Sequence, residues 1–238
     1  LDAPRGDTVT SIVLTRLPIG LTRRVATEAG TDMDSSLPEA GRPADEAHAK
    51  IAGHDAPLAP RALLTGALFG AVALAIVLAR LTIPIGGTDI VTDPREIFTT
   101  LGAGFSGPVG GLIVGVLAGA REPNGIAWAS VLAHVAGGVW MGWSYKKLVY
   151  ERLAMPGLLA GWALIALAYY FVFVIPGFVV GVRVLYPQAF ADVFAGAESL
   201  WQAYTALATG AAPEAFFTAI FTTLVILALP RKYRRPLW

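Results

Sequence analysis

The chain has 238 residues, of which 55% are hydrophobic and only 15% are charged. Soluble domains usually carry about a quarter charged residues, so this composition excludes an ordinary water-soluble globular protein. The net charge of +1 gives no general reason to expect nucleic-acid binding, and the absence of cysteine excludes disulfides, thiolate metal sites and thiol nucleophiles. The composition indicates an integral membrane protein.

The first 61 residues differ in composition from the rest. They are rich in Ala, Pro and charged residues, as in LPEAGRPADEAHAK, and lack a sustained apolar face. Such a segment buries too little apolar area to offset the entropy lost on ordering. We therefore predict a disordered cytoplasmic tail at 1–61 and a polytopic membrane domain at 62–238. Met33 is an alternative natural start of the chain.

The apolar blocks that follow are near or above the ~20 residues needed to cross a hydrocarbon core. The block at 97–120 is interrupted by Ser106-Gly107-Pro108. Gly107 can close one helix, Ser106 can cap the next, and Pro108 suits a first helical turn. We therefore predict an all-α bundle of six helices, two of them short, while one kinked helix here would leave five crossings. The predicted helices are 62–84, 96–106, 108–121, 125–146, 155–183 and 212–230.

The placement of positive charge favours six crossings over five. Lys and Arg follow two of the apolar blocks, at 146–152 and 231–235, and these residues collect on cytoplasmic flanks. Six crossings also put the basic flank at 42–61 inside, whereas five would put it outside. We expect a multi-pass protein of a bacterial cell (inner) membrane with both termini in the cytoplasm and the loops 85–95, 121–125 and 184–212 outside.

Small residues recur at four-residue spacing on two of the predicted helices, and such stripes let helices approach closely. The glycine stripe starts at Gly107 in the third helix, and the alanine stripe starts at Ala67 in the first. One stripe can serve the bundle and the other a partner subunit, although both can also be internal seams. The stripes comprise Gly107, Gly111, Gly115 and Gly119, and Ala67, Ala71, Ala75 and Ala79.

Polar residues gather near the predicted outer ends of the helices. Acidic residues at helix starts, such as Glu96 and Glu214, are explained by ordinary capping, but a cation such as Arg95 there needs an acid or a ligand anion beside it. His134 in the fourth helix can line a pocket or simply be a hydrogen-bonded residue of the bundle. The candidate ligand-binding residues are Arg95, Arg121, Glu214, Trp128, His134, Asp93 and Thr218.

The membrane region carries none of the common catalytic or metal-binding motifs. It has no Ser/His/Asp arrangement and no His-Glu-x-x-His motif, and its single histidine is not part of a ligand cluster. The pattern Gly-x-Gly-x-x-Gly at 102–107 lacks the strand that a dinucleotide site requires. We therefore expect a protein that is not an enzyme and needs no metal or cofactor.

The stretch DPREIFTTLGAGFSGPVGGLIVGVLAGAREPNG resembles LytS-type transmembrane receptor domains, in which an arginine-bearing loop leads into a glycine-rich run. It is also similar to the substrate-binding S components of energy-coupling-factor (ECF) vitamin transporters, which have six helices and an Ala-x-x-x-Ala surface on the first. Ala67, Ala71 and Ala75 match that surface. The residues that match the receptor pattern are Arg95, Gly104, Gly107, Pro108, Gly111, Gly115, Gly119 and Arg121.

The S-component resemblance implies a binding subunit for a vitamin or micronutrient that enters from outside beneath a lid at 85–95. The alanine surface would then dock a coupling protein with its paired ATPase subunits. The LytS-type resemblance implies a ligand-sensing receptor that acts through a separate signalling kinase, and a third possibility is an accessory subunit of a larger complex. Expected partners are a small-molecule ligand, membrane lipids and one of these subunit sets, with no nucleic acid.

Overall fold

The computed structural model describes residues 59–84, 91–121 and 125–238. The predicted disordered tail up to residue 58, most of the proposed lid and the turn at 122–124 lie outside these residues. A two-residue antiparallel pair, β1 (Ile83–Pro84) and β2 (Val91–Thr92), precedes the second helix. The helices are α1 (Pro60–Ala79), α2 (Arg95–Gly119), α3 (Ala127–Ser144), α4 (Met155–Ala168), α5 (Ile175–Leu185), α6 (Phe190–Val193) and α7 (Leu200–Ala228).

The described helices form a membrane bundle. π-helical turns extend α3 through Tyr145–Tyr150 and join α4 to α5 through Tyr169–Val174, which makes one 31-residue rod. Four helical segments of the described chain are long and apolar enough to span a membrane, and many of their large apolar side chains point outward, as Leu64 does with 72% exposure. This confirms the predicted fold class, an all-α multi-pass membrane protein. The four segments are Pro60–Ala79, Arg95–Gly119, Met155–Leu185 and Leu200–Ala228.

Helix α2 is a hairpin of two antiparallel arms, 95–106 and 108–119. Gly107 between them has φ 77° and ψ −174°, outside the helical region. The Arg95 guanidinium donates a hydrogen bond to the carbonyl of Ala118 at 3.1 Å, although 23 residues separate them. In a straight helix these residues would be about 35 Å apart, at 1.5 Å per residue. The predicted pair of short helices is confirmed, and six rods result when each arm counts as one.

The local chemistry of the turn differs in one respect from the prediction. Pro108 begins the second arm as expected, because its missing N–H is not needed in a first turn. Ser106, however, does not cap that arm: its hydroxyl donates to the carbonyl of Gly102 at 2.5 Å, within the first arm. The reversal therefore depends on Gly107, since only glycine readily adopts this backbone conformation.

Residues near the end of the chain pack on the hairpin turn. The backbone N–H of Leu237 donates to the Phe105 carbonyl at 2.9 Å. The Lys146 ammonium donates to the Trp238 carbonyl at 2.6 Å and lies over the indole ring. A methyl group added at Gly107 would overlap that ring. The turn is thus enclosed by a contact between residues about 130 positions apart.

The two predicted stripes of small residues have different environments. The glycine stripe is an internal seam, because a side chain at Gly111 would overlap the backbone of Gly138 in α3. On α1, Gly66 and not the alanine stripe faces the bundle, where a Cβ would lie 2.8 Å from Gly110 Cα. Ala71 is exposed, as is Ala75, while Ala67 is half-buried. The alanine stripe therefore lies on the outer surface of the described bundle.

Two predicted helix boundaries were wrong. Helix α1 ends at Ala79 and not at 84, because Arg80 adopts a left-handed conformation with φ 53° and ψ 41°. Helix α7 begins at Leu200 and not at 212, so half of the predicted external connection is helical. Ser199 and Gln202 form a reciprocal capping box that starts this helix, and Pro213 lies inside it.

Both ends of the described chain lie at the same end of the bundle. Ala59, Pro60 and Arg61 line a cavity of about 690 Å³ together with residues from Lys232 to Leu237. Phe105, beside the hairpin turn, lines the same cavity. The described chain from residue 59 onward therefore runs along the bundle an even number of times when the two arms of α2 are counted separately. Arg95, at the start of the first arm, lies at the opposite end.

Candidate functional site

Glu96 is the centre of a buried polar cluster in the first turn of α2, where it is only 3% exposed. The Tyr169 hydroxyl donates to its Oε2 at 2.6 Å. Its Oε1 lies 2.8 Å from Nε2 of His134 and 3.3 Å from Nε of Arg95. Both carboxyl oxygens are therefore engaged by groups from three segments of the bundle.

The hydrogen bonds of His134 determine how many protons it shares with Glu96. Its Nδ1 lies 2.7 Å from the carbonyl oxygen of Ser130, which can only accept, so Nδ1 carries a hydrogen. At 2.8 Å, Nε2 and the carboxyl oxygen require one more proton between them. Whether that proton resides on the imidazole or on the carboxyl, His134 and Glu96 together carry no net charge.

Arg95 is paired with a second acid at the start of α2. Its Nε lies 3.1 Å from Oδ2 of Asp93, and its backbone N–H donates to Oδ1 at 2.8 Å. Burial raises the pKa of Asp93 above its ordinary value, while the positive charge of Arg95 opposes this shift. The positive charge of Arg95 is unfavourable at a helix N-terminus. The carboxylates of Asp93 and Glu96 offset it.

Glu214 of α7 faces the same cluster with much weaker coordination. The Tyr170 hydroxyl lies 3.5 Å from its Oε1, at the limit of a hydrogen bond, and 3.1 Å from Oγ1 of Thr218. Among the described residues, the carboxyl of Glu214 makes no other hydrogen bond and no ion pair. Of the two glutamates that line the cavity, Glu214 is the one whose carboxyl can accept further hydrogen bonds.

These side chains surround a cavity of about 160 Å³. Its polar lining comes from the start of α2, from α3, and from Tyr170 and Glu214, and its apolar lining comes from the rod 155–185 and from α7. A concave site with one apolar side and a few convergent polar groups is the usual form of a small-molecule site. The cavity is lined by Arg95, Glu96, Ser130, His134, Tyr170, Val174, Ile175, Phe178, Leu207, Ala211 and Glu214.

Comparison of this chain with protein families, curated proteins and solved structures finds no match. The interpretation of the cavity therefore depends on its own geometry.

The structure brings together most, but not all, of the residues that the sequence singled out. Arg95, His134 and Glu214 line the cavity. Asp93 and Thr218 lie one contact behind it, since Asp93 pairs with Arg95 and Thr218 contacts the Tyr170 hydroxyl. Ligand contact by these five residues stays a prediction.

Trp128 and Arg121 do not belong to the part of the cavity wall that the structure describes. Trp128 is 69% exposed on the outward face of α3, and the side chain that reaches inward nearby is Ser130. Arg121 is exposed beyond the second arm of α2. Ligand contact by Trp128 and Arg121 stays a prediction, which depends on residues outside the described ranges or on a partner protein.

The central position of Glu96 was not predicted from the sequence, in which helix capping explains this residue. The available signal was the presence of a carboxyl and an imidazole in two apolar blocks, because intramembrane ionisable residues usually pair with each other. Their 38-residue separation concealed the pair. The apolar wall, including Phe178 and Leu207, carried no sequence signal because apolar residues are abundant on every face of these helices.

Proposed function

We propose that this protein is the membrane-embedded binding subunit of an ATP-driven uptake transporter, comparable to an ECF S component. It captures a small water-soluble vitamin or micronutrient and presents it to an energising partner. The cavity is the observation that supports this proposal. Four ionisable groups line it within a membrane bundle, and such costly groups typically mark ligand or ion pathways. They are Glu96, His134, Arg95 and Glu214.

The distribution of charge supports an orientation for this binding subunit. Basic residues collect at the end of the bundle that holds Trp238, where Arg61, Lys232 and Arg235 line the larger cavity. By the positive-inside rule, this distribution supports a cytoplasmic location for that end. The polar cavity beside Arg95 would then be reached from outside, as uptake from the environment requires, in a bacterial cell membrane.

The exposed alanine stripe on α1 supports a docking role. Ala71 and Ala75 are exposed, and large apolar neighbours such as Leu68 flank them at the surface. The bundle packs against α1 through Gly66 and Gly70 instead. A second row of small residues is therefore left over for close approach of another helix, and we assign it to the coupling subunit.

Ligand capture is tested by thermal unfolding of the purified protein in detergent against a panel of vitamins, nucleobases and metal ions. A ligand of the cavity should raise the unfolding temperature in proportion to the logarithm of its concentration above Kd. Ala211→Phe fills the cavity and should abolish this stabilisation while the unliganded protein stays folded. Ala160→Phe adds the same side chain at an exposed position outside the cavity and should leave it intact. Stabilisation retained in Ala211→Phe would contradict the assigned site.

Docking is tested by affinity purification of the protein from its native membranes. Co-purification of a coupling protein and paired ATPases supports the transporter proposal, and co-purification of a kinase would support a sensing receptor instead. Ala71→Leu should remove the partner, because the larger side chain prevents close helix approach. The matched control is Ala160→Leu, an exposed alanine on α4 that lies off the docking face. Equal loss in both variants would contradict the role of α1.

A further inference from the structure

The charges around the smaller cavity specify the class of ligand. We infer that the cavity binds a small organic cation, whose protonated amine pairs with the carboxylate of Glu214 and whose short apolar body lies against the opposite wall. This inference rests on the proposed binding function and goes further by naming the charge and the character of the ligand.

The described side chains around the cavity leave one negative charge without a counter-charge when Glu214 is ionised. Arg95 is offset by Asp93, with Nε and Oδ2 3.1 Å apart. Glu96 and His134 share one proton and sum to zero, as their 2.8 Å contact requires. No described cation lies within ion-pair distance of the Glu214 carboxyl. An ammonium group bound beside Glu214 would therefore supply the missing positive charge.

The two glutamates that line the cavity differ in coordination. Glu96 already accepts from the Tyr169 hydroxyl and contacts His134 and Arg95, so its carboxyl has its partners within the protein. Glu214 has only a 3.5 Å contact with the Tyr170 hydroxyl. A partly buried carboxylate is costly unless a counter-charge and hydrogen-bond donors reach it. An ammonium group supplies both.

The lining of the cavity favours an organic cation over a metal ion. Ca²⁺ takes about six to eight oxygen ligands, and no group of three or more His, Cys, Asp or Glu in the described chain could hold a metal. The lining instead includes the apolar side chains of Val174 and Ile175 and the aromatic ring of Phe178. Such a wall binds an alkyl body, and aromatic faces attract organic cations.

The volume of the cavity limits the size of the ligand. The volume of about 160 Å³ is well below the ~300–1,000 Å³ typical of sites for drug-sized ligands. The body attached to the ammonium group is therefore short or compact.

The experiment uses n-propylammonium as the probe, with n-propanol and propionate as neutral and anionic controls of similar size. Thermal unfolding and calorimetric titration of the full chain in detergent, at constant ionic strength, give the stabilisation and the Kd. Only n-propylammonium should stabilise saturably. Glu214→Gln should weaken its binding at least about tenfold, as expected when one partner of a partly buried charge pair is removed.

Two further variants test the charge of Glu214 if Glu214→Gln alters folding. Glu214→Asp retains the charge on a shorter side chain and should bind more tightly than Glu214→Gln. Glu198→Gln removes an exposed carboxylate from the connection before α7 and should bind as the parent protein does.

The outcomes distinguish this inference from the proposed function. Saturable stabilisation by propionate but not by the ammonium ion would overturn the assigned ligand class and leave a binding subunit for an anion. Equal binding of n-propylammonium to the parent and Glu214→Gln would overturn the role of Glu214, and an equal response to NaCl would overturn an organic ligand. Failure of every compound in the vitamin panel would count against the proposed function itself.

Discussion

Replacing Gly107 by alanine should destabilise the protein through two separable effects. The backbone of Gly107, at φ 77° and ψ −174°, costs a residue with a Cβ about 1–3 kcal/mol. The added methyl would also overlap the Trp238 indole, and such overpacking costs a further ~1–3 kcal/mol. We expect the free energy of unfolding to fall by about 2–6 kcal/mol. The assay is equilibrium unfolding in mixed micelles of increasing SDS content, followed by circular dichroism.

Gly196 separates these two effects because it has φ 84° and no atom within 4 Å of the position that a Cβ would take. Gly196→Ala should therefore show only the conformational cost, about 1–3 kcal/mol. In a double-mutant cycle, Trp238→Ala removes the ring that the new methyl meets, so Gly107 and Trp238 should couple by about 1–3 kcal/mol. Equal losses for Gly107→Ala and Gly196→Ala, with no coupling to Trp238, would refute the packing of Trp238 on the hairpin turn.

Two further predictions test the buried cluster and the hairpin. Glu96→Ala leaves two buried groups, the Tyr169 hydroxyl and the His134 ring, without their hydrogen-bond partner and should cost about 3–5 kcal/mol in the same unfolding assay. Glu151→Ala, which breaks an exposed ion pair, should cost less than about 1 kcal/mol. Similar losses would mean that Glu96 is not buried in a network. Because the chain lacks cysteine, single cysteines at the exposed positions Arg80 and Arg121 can be labelled in sealed vesicles and should react from the same side, opposite to one at Lys232. Labelling of Arg80→Cys and Arg121→Cys from opposite sides would show that α2 crosses as one straight helix.

The membrane class and the helical hairpin could be predicted from the sequence because their causes are local. Long apolar blocks must satisfy their backbone groups internally, which in lipid favours helices. Gly107 followed by Pro108 ends one helix and starts another through the conformations that these two residues allow. The spacing of small residues likewise predicted close-packing surfaces on two helices.

The use of those surfaces and the composition of the site were decided by tertiary packing. Both Gly111 and Ala71 belong to stripes with four-residue spacing. This spacing does not reveal that Gly111 packs on the backbone of α3 while Ala71 lies on the surface. Glu96 meets a tyrosine 73 residues away, while Trp128 points outward. Hydropathy and backbone preference act over a few residues, so they determine where helices form and end. Which carboxyl is saturated and which faces an open cavity depends on how distant helices rotate against one another, and that rotation is determined only when all of them pack together.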